Sequence, residues 1–153
     1  MLYELFRQIR QALAGEFGLE FDEYGTLFAG DGADVRDIQW YAKQYEGVIH
    51  AVPALLIEVG KLEFTALTKT RQSTPVRMTV HVVTDIESES DGNTPDTAIR
   101  EHEAIAVRAK EALEGITLDF DGERTRPVRV TGWEFIPRYE GWMVTLIDLE
   151  TKA

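Results

Sequence analysis

Residues 76–115, VRMTVHVVTDIESESDGNTPDTAIREHEAIAVRAKEALEG, change their hydrophobic period part-way, and that change sets the fold class. Val76, Met78, Val80 and Val82 alternate with Arg77, Thr79 and His81, the two-residue period of a strand with one buried face. After the polar run ESESDGNTPD the period lengthens. Ala98, His102, Ile105, Ala109 and Ala112, joined by Ile99, Ala106 and Leu113, share one side of a helix over about residues 95–114. Thr94 suits its N-cap, Pro95 its first position and Asp96 the positive end of its dipole. Gly115 marks its end, and its mostly alanine inner face lets it lie close against a sheet.

On the N-terminal side, Leu55, Ile57 and Val59 alternate with Leu56 and Glu58, and Leu62, Phe64 and Ala66 with Glu63, Thr65 and Leu67. Two adjoining strands, or one bent hairpin, are expected across Gly60-Lys61. The polar, cationic stretch Thr68 to Thr74 reads as the tip of a projecting hairpin. On the C-terminal side, strands are expected near Arg126–Ile136 and Trp142–Leu149, about a PRYEG turn. Leu2, Leu5, Phe6, Ile9 and Leu13 define an opening helix, with Gly15 as its expected stop. Residues 16–33 read as loop, with a short strand near Leu19–Phe21, and Asp34 as the cap of a short second helix through Tyr45 that ends at Gly47. The strands of each block are joined by short connections, which favours antiparallel pairing. The expected fold is α+β: one domain over 1–153, a single mainly antiparallel sheet, the N-terminal helix and the long helix packed on one face.

A chain of 153 residues is long enough to build its own core, and 44% hydrophobic with 28% charged residues is a globular composition. With no cysteine, neither disulfides nor thiolate metal sites are available, which suits a reducing compartment. Glu4, Arg7 and Arg10 interrupt the opening apolar pattern, so no signal peptide is expected, and no run approaches the roughly 20 apolar residues of a membrane span. A soluble cytoplasmic protein is the expectation. The net charge of −11 repels nucleic-acid phosphates at long range. That charge is uneven: residues 86–123 carry eleven acidic side chains against three basic ones, whereas Lys61, Lys69, Arg71 and Arg77 face Glu63 alone within 61–77. Opposite surfaces of this kind could attract between copies, although solvated faces are the commoner explanation of such asymmetry.

Residue types that carry chemistry are sparse. His50, His81 and His102 never recur at helical ligand spacing, and His102-Glu103 lacks the second histidine of a zinc-protease helix because Ala106 holds that position. His102 lies on an apolar helix face, where a hydrogen-bonded core or interface histidine is expected; His81 shares the polar face of its strand and is expected to be exposed. GDGADVRD gathers Asp31, Asp34 and Asp37 without the ligand alternation of a calcium loop, and Glu87, Glu89 and Asp91 read as a solvated loop. No nucleophile elbow, phosphate-binding lysine motif or dinucleotide glycine turn occurs. No catalytic, metal or cofactor site is therefore expected. The aromatic concentration Trp133, Phe135, Tyr139 and Trp142 is expected to serve the core, with an interface as the alternative.

The order LYELFRQIRQAL, VPALLIEVG, a polar β-arm into PVRMTVHVVTD, an acidic loop, HEAIAVRAKEALEGI and WMVTLIDLE resembles the tail terminator, or minor tail completion, proteins of long-tailed bacteriophages and prophages. The resemblance implies a subunit that forms a ring, often a hexamer. Such a ring caps the finished tail tube and presents a surface to the head connector. It implies self-association through the arm, here Lys69 and Arg71 with neighbouring Arg77, against an acidic surface of Glu87, Glu89 and Asp91. It also implies assembly in the cytoplasm, a final place in the virion tail, no cofactor, and DNA passing the lumen without specific binding. Two alternatives stand beside it: a head-tail joining or tail-tube protein, and a small-molecule-binding or enzymatic domain with a pocket near His102 and the aromatic cluster.

Overall fold

The computed structural model describes residues 2–22, 27–28, 34–47, 49, 51–60, 62, 65–66, 72–73, 75–86, 95–139 and 141–152. Helix α1 (Leu2–Phe17) buries Leu5, Phe6, Ile9, Leu13, Ala14 and Phe17, the stripe its sequence spacing dictates. It runs past Gly15 and stops at Gly18, whose φ of +67° is the left-handed conformation of a helix end, with the Leu19 N–H donating to the Ala14 carbonyl at 2.9 Å. A glycine nearest the last apolar residue is the natural stop, but Phe17 extends the buried stripe one further turn.

Two short strands, β1 (Glu20–Phe21) and β2 (Leu27–Phe28), pair with each other. The following segment corrects an expectation. Instead of a second helix capped by Asp34, the chain forms strand β3 (Asp37–Trp40) and then a single 3₁₀ turn at Gln44–Glu46. Val35 and Ile38 are fully buried, and β3 pairs in parallel with β4 (Ala54–Val59), so tertiary pairing overrides a weak local helix preference. The Asp34 carboxylate bonds Arg108 at 2.7 Å.

Strands β5 (Thr65–Ala66) and β6 (Gln72–Ser73) pair antiparallel, the hairpin base anticipated around the polar stretch. Strand β7 (Pro75–Asp85) leads to helix α2 (Asp96–Leu113), whose N-cap is Pro95, so the helix starts one residue later than expected, and Thr94 lies outside the described residues. Gly115 follows with a φ of +86°. A small hairpin, β8 (Asp119–Phe120) with β9 (Glu123–Arg124), then precedes β10 (Arg129–Tyr139) and β11 (Trp142–Lys152).

Five strands form the main sheet in the order β10-β11-β7-β4-β3, antiparallel throughout except for β3 beside β4. The α+β class and the mainly antiparallel sheet are as the periodicity requires. Alternation assigns each face. Leu55, Ile57, Met78, Val80, Val82, Ile147 and Leu149 join α1 and α2 in the larger core. Tyr45, Ala54, Leu56, Val83 and Val144 form a smaller core on the opposite face. Beyond that second core the opposite face is polar, and there Thr79 Oγ1 donates to Asp148 at 2.8 Å. Gly132 is held free of a side chain at that spot, since a Cβ would stand 2.7 Å from Asp148 Oδ2.

Candidate interaction surface

The two histidines in the described residues are both buried, for different reasons. His102 sits 2% exposed between α2 and the sheet, its Nδ1 2.7 Å from Thr84 Oγ1 and its Nε2 2.7 Å from Thr145 Oγ1. Hydroxyls both donate and accept, so either neutral tautomer is satisfied. Burial pulls its pKa down to about 4. This is the hydrogen-bonded core histidine the helix pattern implied. His81 corrects the expectation of an exposed side chain. Residues 41–45 fold back over the polar face, so Tyr41 stacks on the imidazole at 3.9 Å between centroids. Tyr45 Oη lies 2.9 Å from its Nδ1, and Glu58 Oε2 lies 2.8 Å from its Nε2. Desolvation lowers the His81 pKa, with Glu58 opposing that shift, while burial raises the Tyr45 phenol. A raised phenol and a neutral, fully bonded imidazole do not make an activated nucleophile.

A cleft of about 510 Å³ opens beside α2, walled by Asp34, Arg36, Asp85, Glu101, His102 and Arg108 among others. Its charged groups are already engaged in part: Arg108 reaches Asp34, the Glu16 carboxylate at 3.3 Å and the Glu16 carbonyl at 3.0 Å, and lies 4.4 Å above the Phe17 ring. That side chain therefore ties α2 to the end of α1. Both nitrogens of His102 are bonded within the fold, so it has none to offer a ligand in the cleft. Among the described residues no three His, Asp or Glu side chains converge as metal ligands would, and no helix is long and apolar enough to cross a membrane.

Of the charged interface residues expected from sequence, Arg77 is described. It stands exposed on the polar face of β7 directly opposite Glu150 of β11, with Nε 3.8 Å from Glu150 Oε2. Lys69 and Arg71, and with them Glu87, Glu89 and Asp91, lie outside the described residues. Because the Arg77–Glu150 pair is long and solvated, Arg77→Ala should change stability by no more than about 1 kcal/mol, measured as a shift in urea midpoint.

The aromatic cluster supplies a third correction. Trp133 and Phe135, expected in the core, are 43% and 44% exposed. They alternate with Glu134 as core residues would and do point to the helix-bearing face, but β10 is the sheet's outermost strand and α2 stops short of covering it. Phe135 touches His102 at 5.5 Å between centroids, so the pair borders the α2 packing without entering it. Period reports which face a residue takes; only topology reports whether that face is covered.

No protein-family model matches the chain, and no curated protein matches it. The fold does have a counterpart among solved structures. A chain of the "Virion of native gene transfer agent (GTA) particle" superposes with a TM-score of 0.55 at 12% identity, over 94% of this chain and 90% of that one. At that identity the likeness is one of fold.

Proposed function

We propose that this chain is a structural subunit of a phage-like particle, and that it forms the ring which ends the tail tube and joins it to the head connector. The observation that carries the reading is the near end-to-end fold likeness to a chain of a gene transfer agent virion, 94% of one and 90% of the other. The match extends over nearly the full fold described for this chain and is not confined to a local motif. The helix, sheet and hairpin order on which the tail-terminator resemblance rests agrees with it, as does a surface that carries a net charge of −11 and so lets DNA pass without adhering. Its partners are then further copies of itself, a tail-tube protein and a head-connector protein, and its place is the cytoplasm during assembly and the particle's tail afterwards. No step of this role calls on catalysis or a cofactor.

Negative-stain electron microscopy of the purified chain tests the reading. Closed rings of uniform diameter are expected. Open tubes would assign the chain to the tube or joining proteins, and single unassembled particles at every concentration would overturn the structural role.

A further inference from the structure

Among the described residues, two exposed apolar patches lie at opposite edges of the five-stranded sheet. At the β10 edge stand Trp133 and Phe135, with Ile99 of α2 beside them, 42% exposed. Between α2 and β10 runs a groove of about 200 Å³ with Glu103 on its rim. That is smaller than the roughly 300–1,000 Å³ of small-molecule sites and suits one or two inserted side chains. At the β3 edge stands Trp40, 40% exposed, edge-on to Phe6 at 5.4 Å between centroids. Leu2 and Tyr3, 45% and 64% exposed, precede Phe6 by one helical turn, and Arg10 lies 5.0 Å above the Phe6 ring. Among the described residues, the large hydrophobic side chains left exposed are these six and Val107 of α2.

We infer that the two patches are the two halves of one contact, in which the Trp133/Phe135 groove of one copy receives the Trp40/Tyr3 edge of the next. The occupant is a second copy of this chain because the patches differ and sit on opposite sides. A single self-complementary patch makes a two-fold dimer, whereas two unlike patches join head to tail, giving a ring where the rotation between copies closes and an open filament where it does not. Their charges are opposed: Glu103 lines the first, and Arg10 stands over the Phe6 ring of the second. Exposed tryptophan, tyrosine and arginine are the residue types that concentrate at interface centres. The strand senses also agree: β3 runs with β4, and each step from β4 through β7 and β11 to β10 reverses, so equally oriented neighbours bring β10 antiparallel to β3. Among the described residues no strand pairs with the outer edge of either.

The inference rests on the ring reading for closure, and a mixing experiment separates the two. Trp133→Glu removes one half of the contact and Trp40→Glu the other, with Tyr3→Glu as a second variant of the latter half in case Trp40 supports the fold through Phe6. Each variant, with an unchanged far-ultraviolet circular dichroism spectrum, is expected to weaken assembly at least about tenfold in dissociation constant by sedimentation velocity. Mixed together, the two variants retain one intact contact between them and should form a 1:1 heterodimer that grows no further. Variants that keep the wild-type mass would overturn the inference and leave the ring reading standing, as would a mixture in which no heterodimer forms. A wild-type chain that stays monomeric would sink both.

Discussion

His102→Ala should destabilise the fold by about 3–5 kcal/mol, one of the largest effects any single substitution will have here. The imidazole fills the seam between α2 and the sheet, and it is the hydrogen-bond partner of Thr84 and Thr145, 7% and 1% exposed. Truncation leaves a cavity and two buried hydroxyls without that partner. His102→Leu restores the volume but not the hydrogen bonds, so its cost should fall between those of alanine and wild type. Urea titrations with fixed slope give all three values. The same histidine sets a pH dependence. Its folded pKa, about 4, lies below the free value of 6.5, so the unfolded chain takes up the proton first as pH falls. The stability it contributes is complete above pH 6.5, declines between 6.5 and about 4, and levels off below. The loss over that window is roughly 3 kcal/mol, since every tenfold difference in proton affinity between the folded and unfolded chain is worth about 1.4 kcal/mol. His81 shifts in the same direction, with Glu58 opposing. In His102→Leu the decline between pH 6.5 and 4 should be markedly shallower.

Ile147→Ala should cost about 2–5 kcal/mol, while the neighbouring Leu146→Ala should cost well under half as much. Ile147 is fully buried in the larger core, opposite Val80 of β7 and Trp133 of β10. Leu146 points to the other face, partly buried, opposite His81. A strand shifted by one residue would exchange the two costs, so the ratio measured by equilibrium unfolding tests the register as well as the packing.

Much of this architecture is written in local periodicity. Val76 to Val82 and Thr145 to Leu149 alternate, Ala98 to Leu113 follow a helical spacing, and the structure places each on the face those periods assign. Three features are set by distant partners instead. Strand β3 exists because β4 offers an edge, and Asp37–Trp40 carry too short a pattern to announce it. His81 is buried because Tyr41 and Tyr45 fold over it, from 40 and 36 residues away. Trp133 and Phe135 are exposed because their strand is last in the sheet, a matter of strand order that no alternation encodes. The candidate interface was thus half legible: the aromatic concentration stood out in the sequence, but its exposure did not. Of the charged residues that the family resemblance set at a subunit interface, Arg77 is placed by a readable strand, and the others lie outside the described residues, in polar sequence with no periodic signal.

The native mass of the purified chain, measured by sedimentation equilibrium at high protein concentration and low salt, tests the central claim most directly. A discrete assembly whose mass is a whole multiple of the 17.3 kDa chain, shrinking as salt is raised, is what a ring-forming particle subunit predicts. A species fixed at 17.3 kDa under those conditions would contradict it.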